Sequence, residues 1–242
     1  PVTLMKKQTG YVIHEGKTDK GFHFIAIATL KTNNRKTGDM VQIWFLLRDI
    51  NPVDVVKCGL DANTICAGCP FASGKGCYVN VGQAPLAVWK AYHRGSYAPL
   101  HPFEYAAVFA GRKVRFGAYG NPSLLPVSIV SAISKVCAGW TGYFHDWRTN
   151  RHAAQYSRFF MASTETESSF RLASSLGLRT FHASPVQPAG TVECLSDSTN
   201  GRVNCSVCKL ACNGLSSSRP SVWINPHGSQ VAKAIAASAG VN

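Results

Sequence analysis

The sequence predicts an α/β protein: a reduced or partial βα barrel of the TIM type, with an N-terminal β-hairpin and cysteine-rich metal-binding loops. Three observations predict it. From residue 105 to 184, stretches of strand and helix character alternate at intervals of about 20 to 30 residues, the arithmetic of βα units on a parallel sheet. The predicted strands there end in small and polar residues, Gly120-Asn121, His145-Asp146, Ser163-Thr164 and Ala183-Ser184, and strand carboxyl ends form the active face of such folds. Eight of the nine cysteines lie outside that alternating stretch, in loop-like sequence before or after it. A full eight-unit barrel does not fit comfortably in 242 residues, so the barrel is expected to be incomplete.

The elements follow in order. Residues 22–30 (FHFIAIATL) and 41–47 (VQIWFLL) read as strands of a hairpin whose long loop, 31–39, is polar and basic. Residues 58–82 hold four cysteines among glycines, lack a helical period and read as a ligand-bearing loop. Residues 84–95 predict a helix, with Pro85 near its start and Gly95 near its end. A strand over 114–119 runs into Gly120-Asn121-Pro122. A strongly apolar helix over 123–139 follows, with Ser123 as N-cap and Pro126 leaving the start open. Then come a short strand (141–144), a basic helix (148–158), a strand (159–163), a helix over 164–177 and a strand over 179–184. A late strand (221–225) and an Ala-rich helix (229–240) end the chain. The whole reads as one domain, 1–242. Its parts are a hairpin extension (1–57), a Cys-rich loop (58–83), a βα core (84–190), a second Cys-rich loop (191–214) and a final strand and helix (215–242).

Apolar residues make up 45% and charged residues 15%, which excludes general disorder, collagen and coiled coil. No apolar run reaches about 18 residues, so no membrane partner is expected. The start, PVTLMKKQTG, has no secretory h-region, and Pro1 fits an intracellular protein that has lost its initiator Met; a cytoplasmic location is expected. Lys and Arg number 25 against 12 acids, a net charge of +13. That favours an anionic partner, with nucleic acid, and DNA in particular, the leading expectation.

The cysteines carry the most information. Clustered thiols in an intracellular chain are more often metal ligands than disulfides. The first cluster is Cys66-Ala-Gly-Cys69, seven residues, then Cys77. Two thiolates separated by two residues point the same way and bind one centre. Cys58 is either its fourth ligand or a bystander at a helix end. The second cluster, Cys194, Cys205, Cys208 and Cys212, supplies enough thiolates for a closed zinc site or a four-iron cluster. Spacing does not separate zinc from iron–sulfur. Three cysteines at the first site leave one metal position open, where chemistry occurs. Cys137, inside the apolar helix, reads as a core residue.

Other groups are candidates for chemistry or binding. His145 and Asp146, at a strand end, form a metal or acid–base pair, and Asn121 follows another strand. Trp140, Tyr143 and Trp147 suit stacking on bases, with Arg148, Arg151 and Arg158 on phosphates; a packed aromatic strand and a solvated basic helix would look the same. Lys31, Arg35 and Lys36 give the hairpin loop a phosphate-gripping character, or simply a solvated one. A His-x-His pair, a P-loop and a Gly-x-Ser-x-Gly elbow are all absent from the sequence, which excludes rolling-circle initiators, P-loop ATPases and α/β-hydrolases of those patterns.

Several blocks resemble an uncharacterised cysteine-rich family of bacteriophages and bacterial plasmids. They include Asn34-Arg-Lys-Thr-Gly-Asp-Met-Val-Gln-Ile-Trp44, Cys66-Ala-Gly-Cys69-Pro70, Arg115-Phe-Gly-Ala-Tyr-Gly-Asn-Pro122, His145-Asp-Trp-Arg148, Cys205-Ser-Val-Cys208 and Cys212-Asn-Gly214. The similarity runs over nearly the whole chain and implies a phage or plasmid setting, hence a host cytoplasm. More distantly, the chain resembles the radical S-adenosylmethionine superfamily. A three-cysteine loop precedes a βα barrel, Tyr78 adjoins Cys77, Gly120-Asn121-Pro122 stands where that superfamily has a glycine-rich acidic segment, and Cys194 to Cys212 stands where an auxiliary cluster occurs. The cysteine spacing here is two then seven where the superfamily has three then two, and Asn121 replaces the acid. The leading expectation is a metalloprotein with Cys-ligated iron–sulfur or zinc centres that binds DNA in replication or modification. The alternatives are an iron–sulfur enzyme of radical S-adenosylmethionine type, with that molecule as co-substrate, and a structural metal-binding adaptor.

Overall fold

The computed structural model describes residues 8–215, 219–228 and 230–239. Strands β1 (Gly10–Lys17), β2 (His23–Thr29) and β3 (Val41–Leu47) pair antiparallel in turn. Every residue of β3 is buried, which suits a central strand covered on both faces. Its polar members are satisfied: Gln42 donates to Met40 O and Thr37 Oγ1, and Trp44 Nε1 to Thr29 Oγ1. Helix α1 (Pro52–Lys57) follows, N-capped by Asn51 and ending at Cys58, then α2 (Ala84–His93). The chain continues through β4 (Ala98–Pro99), α3 (Tyr105–Phe109), β5 (Lys113–Tyr119), α4 (Val127–Val136), β6 (Gly139–Phe144), α5 (Ala153–Tyr156), β7 (Met161–Thr164), α6 (Glu167–Ser175) and β8 (Thr180–Ala183). It ends with β9 (Thr191–Glu193), α7 (Leu195–Ser198), β10 (Ser221–Ile224) and α8 (Val231–Ser238).

All ten strands join one sheet in the order β4-β1-β2-β3-β5-β6-β7-β8-β10-β9. From β3 to β10, six strands run parallel in the order in which the chain makes them. Right-handed crossovers that always advance the same way place their helices on one face. The sheet stays open, with β4 and β9 at its edges, so its barrel character is confined to that consecutive parallel run.

Alternation splits the parallel strands into two faces. One carries Phe116, Phe144 and Phe160, packed with Tyr156, Val130 and Ile133 of the helices. Gly142 is required here: a Cβ would stand 2.6 Å from the Phe160 ring. The other face carries Arg115, whose guanidinium lies 5.3 Å from the Tyr143 ring centre, and Tyr143 stacked 4.1 Å from Phe181. On this second face Tyr143, Phe181, Cys194 and Leu210 pack against the buried cluster of Met161, Cys212 and Val222, and Phe181, Cys69 and Cys77 against that of Phe71, Ala183, Ile224 and Ala234.

Several expected elements are corrected. The N-terminal hairpin gains a third strand, β1. The helix expected over 123–139 is a 3-10 turn, Pro122–Leu124, followed by α4, whose N-cap is Pro126 and not Ser123. Two prolines in five residues break the run. Cys137 is the half-buried C-cap of α4 and not an interior helix residue. The basic helix over 148–158 shrinks to α5, because Asp146 turns the preceding segment: its carbonyl accepts the Thr149 and Asn150 N–H groups. The helix expected from 164 starts at Glu167, capped by Thr166. The second cysteine-rich loop contains β9 and α7. Ser229 and Gly240, the ends of the last predicted helix, lie outside the described residues.

Candidate metal centres

The first cysteine loop coils tightly after α1. Asp61, 2% exposed, accepts the Ser73 N–H and hydroxyl, each at 2.7 Å, and its carbonyl accepts Cys66 N–H at 2.8 Å. The Cys69 and Cys77 N–H groups bond to the carbonyls of Cys66 and Phe71. Gly76 lies at φ 125°, where a Cβ would stand 2.6 Å from the Ala234 Cα of α8; only glycine allows that approach. Cys66, Cys69 and Cys77 lie within one another's field. Burial pushes the Cys66 thiol well up and the Cys77 thiol to about 11, and neighbouring Cys69 and Asp61 add to both. Cys58, exposed at the end of α1, takes the helix-end place.

This loop meets the carboxyl ends of the parallel strands. Asn121 N–H donates to Ile65 O at 2.7 Å, strapping the end of β5 to the residue before Cys66. Tyr119 has a buried hydroxyl with no hydrogen-bond partner. Burial and the nearby Cys66 and Asp61 raise its pKa. His145, after β6, points Nδ1 to within 3.4 Å of Glu165 Oε1, too poorly aligned for a hydrogen bond, so this buried nitrogen is also without a partner. Burial pulls the His145 pKa down, but Cys69 and Glu165 outweigh it and the net direction is up. Glu165, 4% exposed, accepts the Ser163 hydroxyl at 2.9 Å.

Asn121 and Asp146 form a clamp. Asn121 Nδ2 donates to Asp146 Oδ1 at 2.8 Å and to Ser123 Oγ, while its Oδ1 accepts His145 N–H at 3.0 Å. Asp146 Oδ2 accepts Ser123 Oγ at 2.8 Å and Asn150 Nδ2 at 2.7 Å. Both side chains hold loops together, which leaves His145 as the member of this group that faces the thiols.

The second loop gathers Cys194, Cys205, Cys208 and Cys212 around a cavity of about 20 Å³, with Thr141, Tyr143 and Val222 in its wall. Cys194 is the N-cap of α7. The Cys205 N–H donates to Lys36 O at 2.9 Å, and Cys212 O accepts Gly142 N–H at 2.9 Å. The buried Arg179 guanidinium donates to the carbonyls of Leu210, Ala211, Asn213 and Pro220 at 2.6–3.0 Å. Burial, with Cys194 and Cys205 nearby, pushes the Cys212 thiol up to about 12. The Thr141 hydroxyl, buried in the same wall, has no partner.

All nine cysteines are free. Among the described residues, no three His, Cys, Asp or Glu side chains stand close enough to hold a single metal ion. Phe181 and Cys194 pack against both of the small buried clusters that adjoin the thiol groups.

The predicted nucleic-acid residues Lys31, Arg35, Lys36, Arg148, Arg151 and Arg158 are all exposed. Lys36 Nζ pairs with Asp197 at 3.1 Å and bonds to His227 Nε2, whose ring stacks on Tyr78 at 5.0 Å. Arg148 lies 4.7 Å over Trp147, and Arg151 Nε donates to His152. Tyr119, Asp61 and Glu165 at this site are not among the residues the sequence singled out. Their signal was adjacency: Tyr119 precedes Gly120-Asn121, and Glu165 follows Ser163-Thr164. No helix among the described residues is long and apolar enough to cross a membrane. Compared with known proteins, the chain matches no family model, no curated protein and no solved structure.

Proposed function

We propose that the chain is an iron–sulfur enzyme of radical S-adenosylmethionine type. Cys66, Cys69 and Cys77 would hold the reactive cluster, and Cys194, Cys205, Cys208 and Cys212 a structural centre. The observation that carries this reading is position. The three-thiol loop follows the first of six parallel strands made in sequence order, and it meets their carboxyl ends beside His145 and Tyr119. The donor set fits: thiolates alone ligate such clusters. The unpartnered Tyr119 hydroxyl and His145 Nδ1 also favour a missing polar group at the first site. When bound, such a cluster supplies electrons at an iron that no thiolate covers. His145 is the side chain that would hold or move a proton there, with its backbone fixed by the Asn121 clamp and its Nδ1 3.4 Å from Glu165.

S-adenosylmethionine is the co-substrate implied by the distant resemblance. Asn121 is not free to hold it, since its amide bonds to Asp146, Ser123 and His145. The test is anaerobic purification, assay of iron, acid-labile sulfide and zinc, and incubation of the reduced protein with S-adenosylmethionine. Iron with sulfide and cleavage of the sulfonium support the reading. Zinc alone at both sites overturns it, and iron without any S-adenosylmethionine binding removes the radical assignment.

Nucleic-acid binding is a second reading, favoured by the net charge of +13 and by the exposure of Lys31, Arg35, Arg148, Arg151 and Arg158. It requires DNA retardation that weakens steeply with salt.

A further inference from the structure

A second cavity lies at the opposite end of the sheet from the three-thiol loop. It measures about 290 Å³ and opens among the amino-terminal ends of β5 and β6, where Lys113 and Gly139 begin those strands. Its wall carries two cationic side chains, Lys113 and Arg219, and no acid among the described residues. Trp140 contributes an indole whose Nε1 is already committed to Phe159 O at 2.8 Å. The Thr141 hydroxyl, in a residue 4% exposed, also lines the cavity and has no partner. A buried polar atom left unsatisfied costs free energy until something fills it.

From this set we infer that the cavity binds a nucleotide. Two cations without a counter-acid select an anion, and phosphate is an anion that Arg and Lys bind well. An aromatic wall with its donor already used leaves an apolar surface for a base. The volume is that of roughly ten liquid water molecules, at the lower end for small-molecule sites and suited to one nucleotide unit. That unit comes either as a free mononucleotide or as one residue of a single strand; the chemistry at the wall is the same. Lys113, Arg219 and Trp140 are not thiol ligands, but Cys205 and Cys208 of the second thiol group also line this cavity, so metal content is read separately from nucleotide binding.

The experiment uses the full chain as isolated, with its metal content measured in the same samples. Adenosine monophosphate and a short oligothymidylate are titrated by calorimetry into the natural protein, a Lys113→Ala/Arg219→Ala variant and a Lys90→Ala/Lys135→Ala variant. The last removes the same charge from exposed positions outside the cavity. The cavity variant is expected to bind at least about tenfold more weakly, a loss of about 1.4 kcal/mol, and the control to stay within about twofold. Cavity-dependent binding of the monophosphate alone assigns a free nucleotide; cavity-dependent binding of the oligonucleotide assigns a strand. Equal weakening in both variants, or no binding of either probe by the natural protein, overturns the inference. Unchanged thermal unfolding and metal content in the cavity variant separate lost binding from lost structure.

Discussion

Asn121→Asp alters one functional group and leaves the side-chain shape unchanged, yet it should damage the protein more than removal of the side chain. Asn121 is fully buried, with its Nδ2 2.8 Å from Asp146 Oδ1 and its Oδ1 bonded to His145 N–H. In Asn121→Ala the His145 N–H and one Asp146 oxygen lose their partner, a cost of about 2–4 kcal/mol. For a chain of this size each kcal/mol moves Tm by about 2–4 °C, so a fall of roughly 5–15 °C is expected. In Asn121→Asp a carboxylate oxygen faces another where a donor stood. Two unit charges at that range repel by about 6 kcal/mol at an effective dielectric constant of about 20, a cost limited only by the pair taking up a proton. The folded pKa of the introduced pair therefore lies above its unfolded value of about 4. The added penalty is full above the folded pKa and shrinks as pH falls toward the unfolded one. Thermal unfolding of natural, Ala and Asp proteins at pH 7 and pH 5 measures this. An Asp variant as stable as the natural protein, or a deficit that does not change with pH, would refute the reasoning.

Other outcomes follow from single contacts. Cys212→Ser should lower both bound metal and Tm, whereas Cys137→Ser, at the end of α4, should leave metal content unchanged; elemental analysis separates them. Gly76→Ala forces a Cβ against the Ala234 backbone at a positive φ, and a loss of about 2 kcal/mol or more is expected in urea unfolding. Arg179→Met removes four charge-assisted bonds to backbone carbonyls; a loss of about 3 kcal/mol or more should accompany faster hydrogen exchange across residues 210–213. His182, 1% exposed and bonded to Thr164 Oγ1 at 2.9 Å, has a pKa held below the ordinary value by burial, which Glu165 and Glu167 only partly offset. Its contribution is full above about pH 6.5 and is lost as pH falls below that value, so His182→Gln should flatten the decline of Tm between pH 7 and pH 5.

The parallel core was legible because its strands are short, apolar and bounded by turns: 41–47, 114–119 and 141–144 all hold nearly as read. Strand β1 escaped notice because only part of Gly10–Lys17 is buried, so its apolar signal is half that of β3. The helix expected over 148–158 failed for a local reason, since the Asp146 carbonyl accepts the Thr149 and Asn150 N–H groups and its carboxylate the Asn150 amide, a turn that no periodicity reveals. The cysteines announced themselves by spacing. His145 and Asn121 were visible as strand-end residues, but the division of labour between them depends on distances. Asn121 and Asp146 bind each other, while His145 is left beside Cys69 and Glu165. Tyr119 and Thr141 matter through missing partners, a property no sequence displays.

The backbone approach of Gly76 to Ala234 has a consequence for assembly. Cys77 packs against a cluster that includes Ala234 of α8, and more than half of the chain is made after Cys77 and before that helix. Early thiols must therefore wait, reduced and unburied, until α8 arrives. Under the proposed metal-binding role, loading at these thiols competes with their oxidation during that slow, long-range closure.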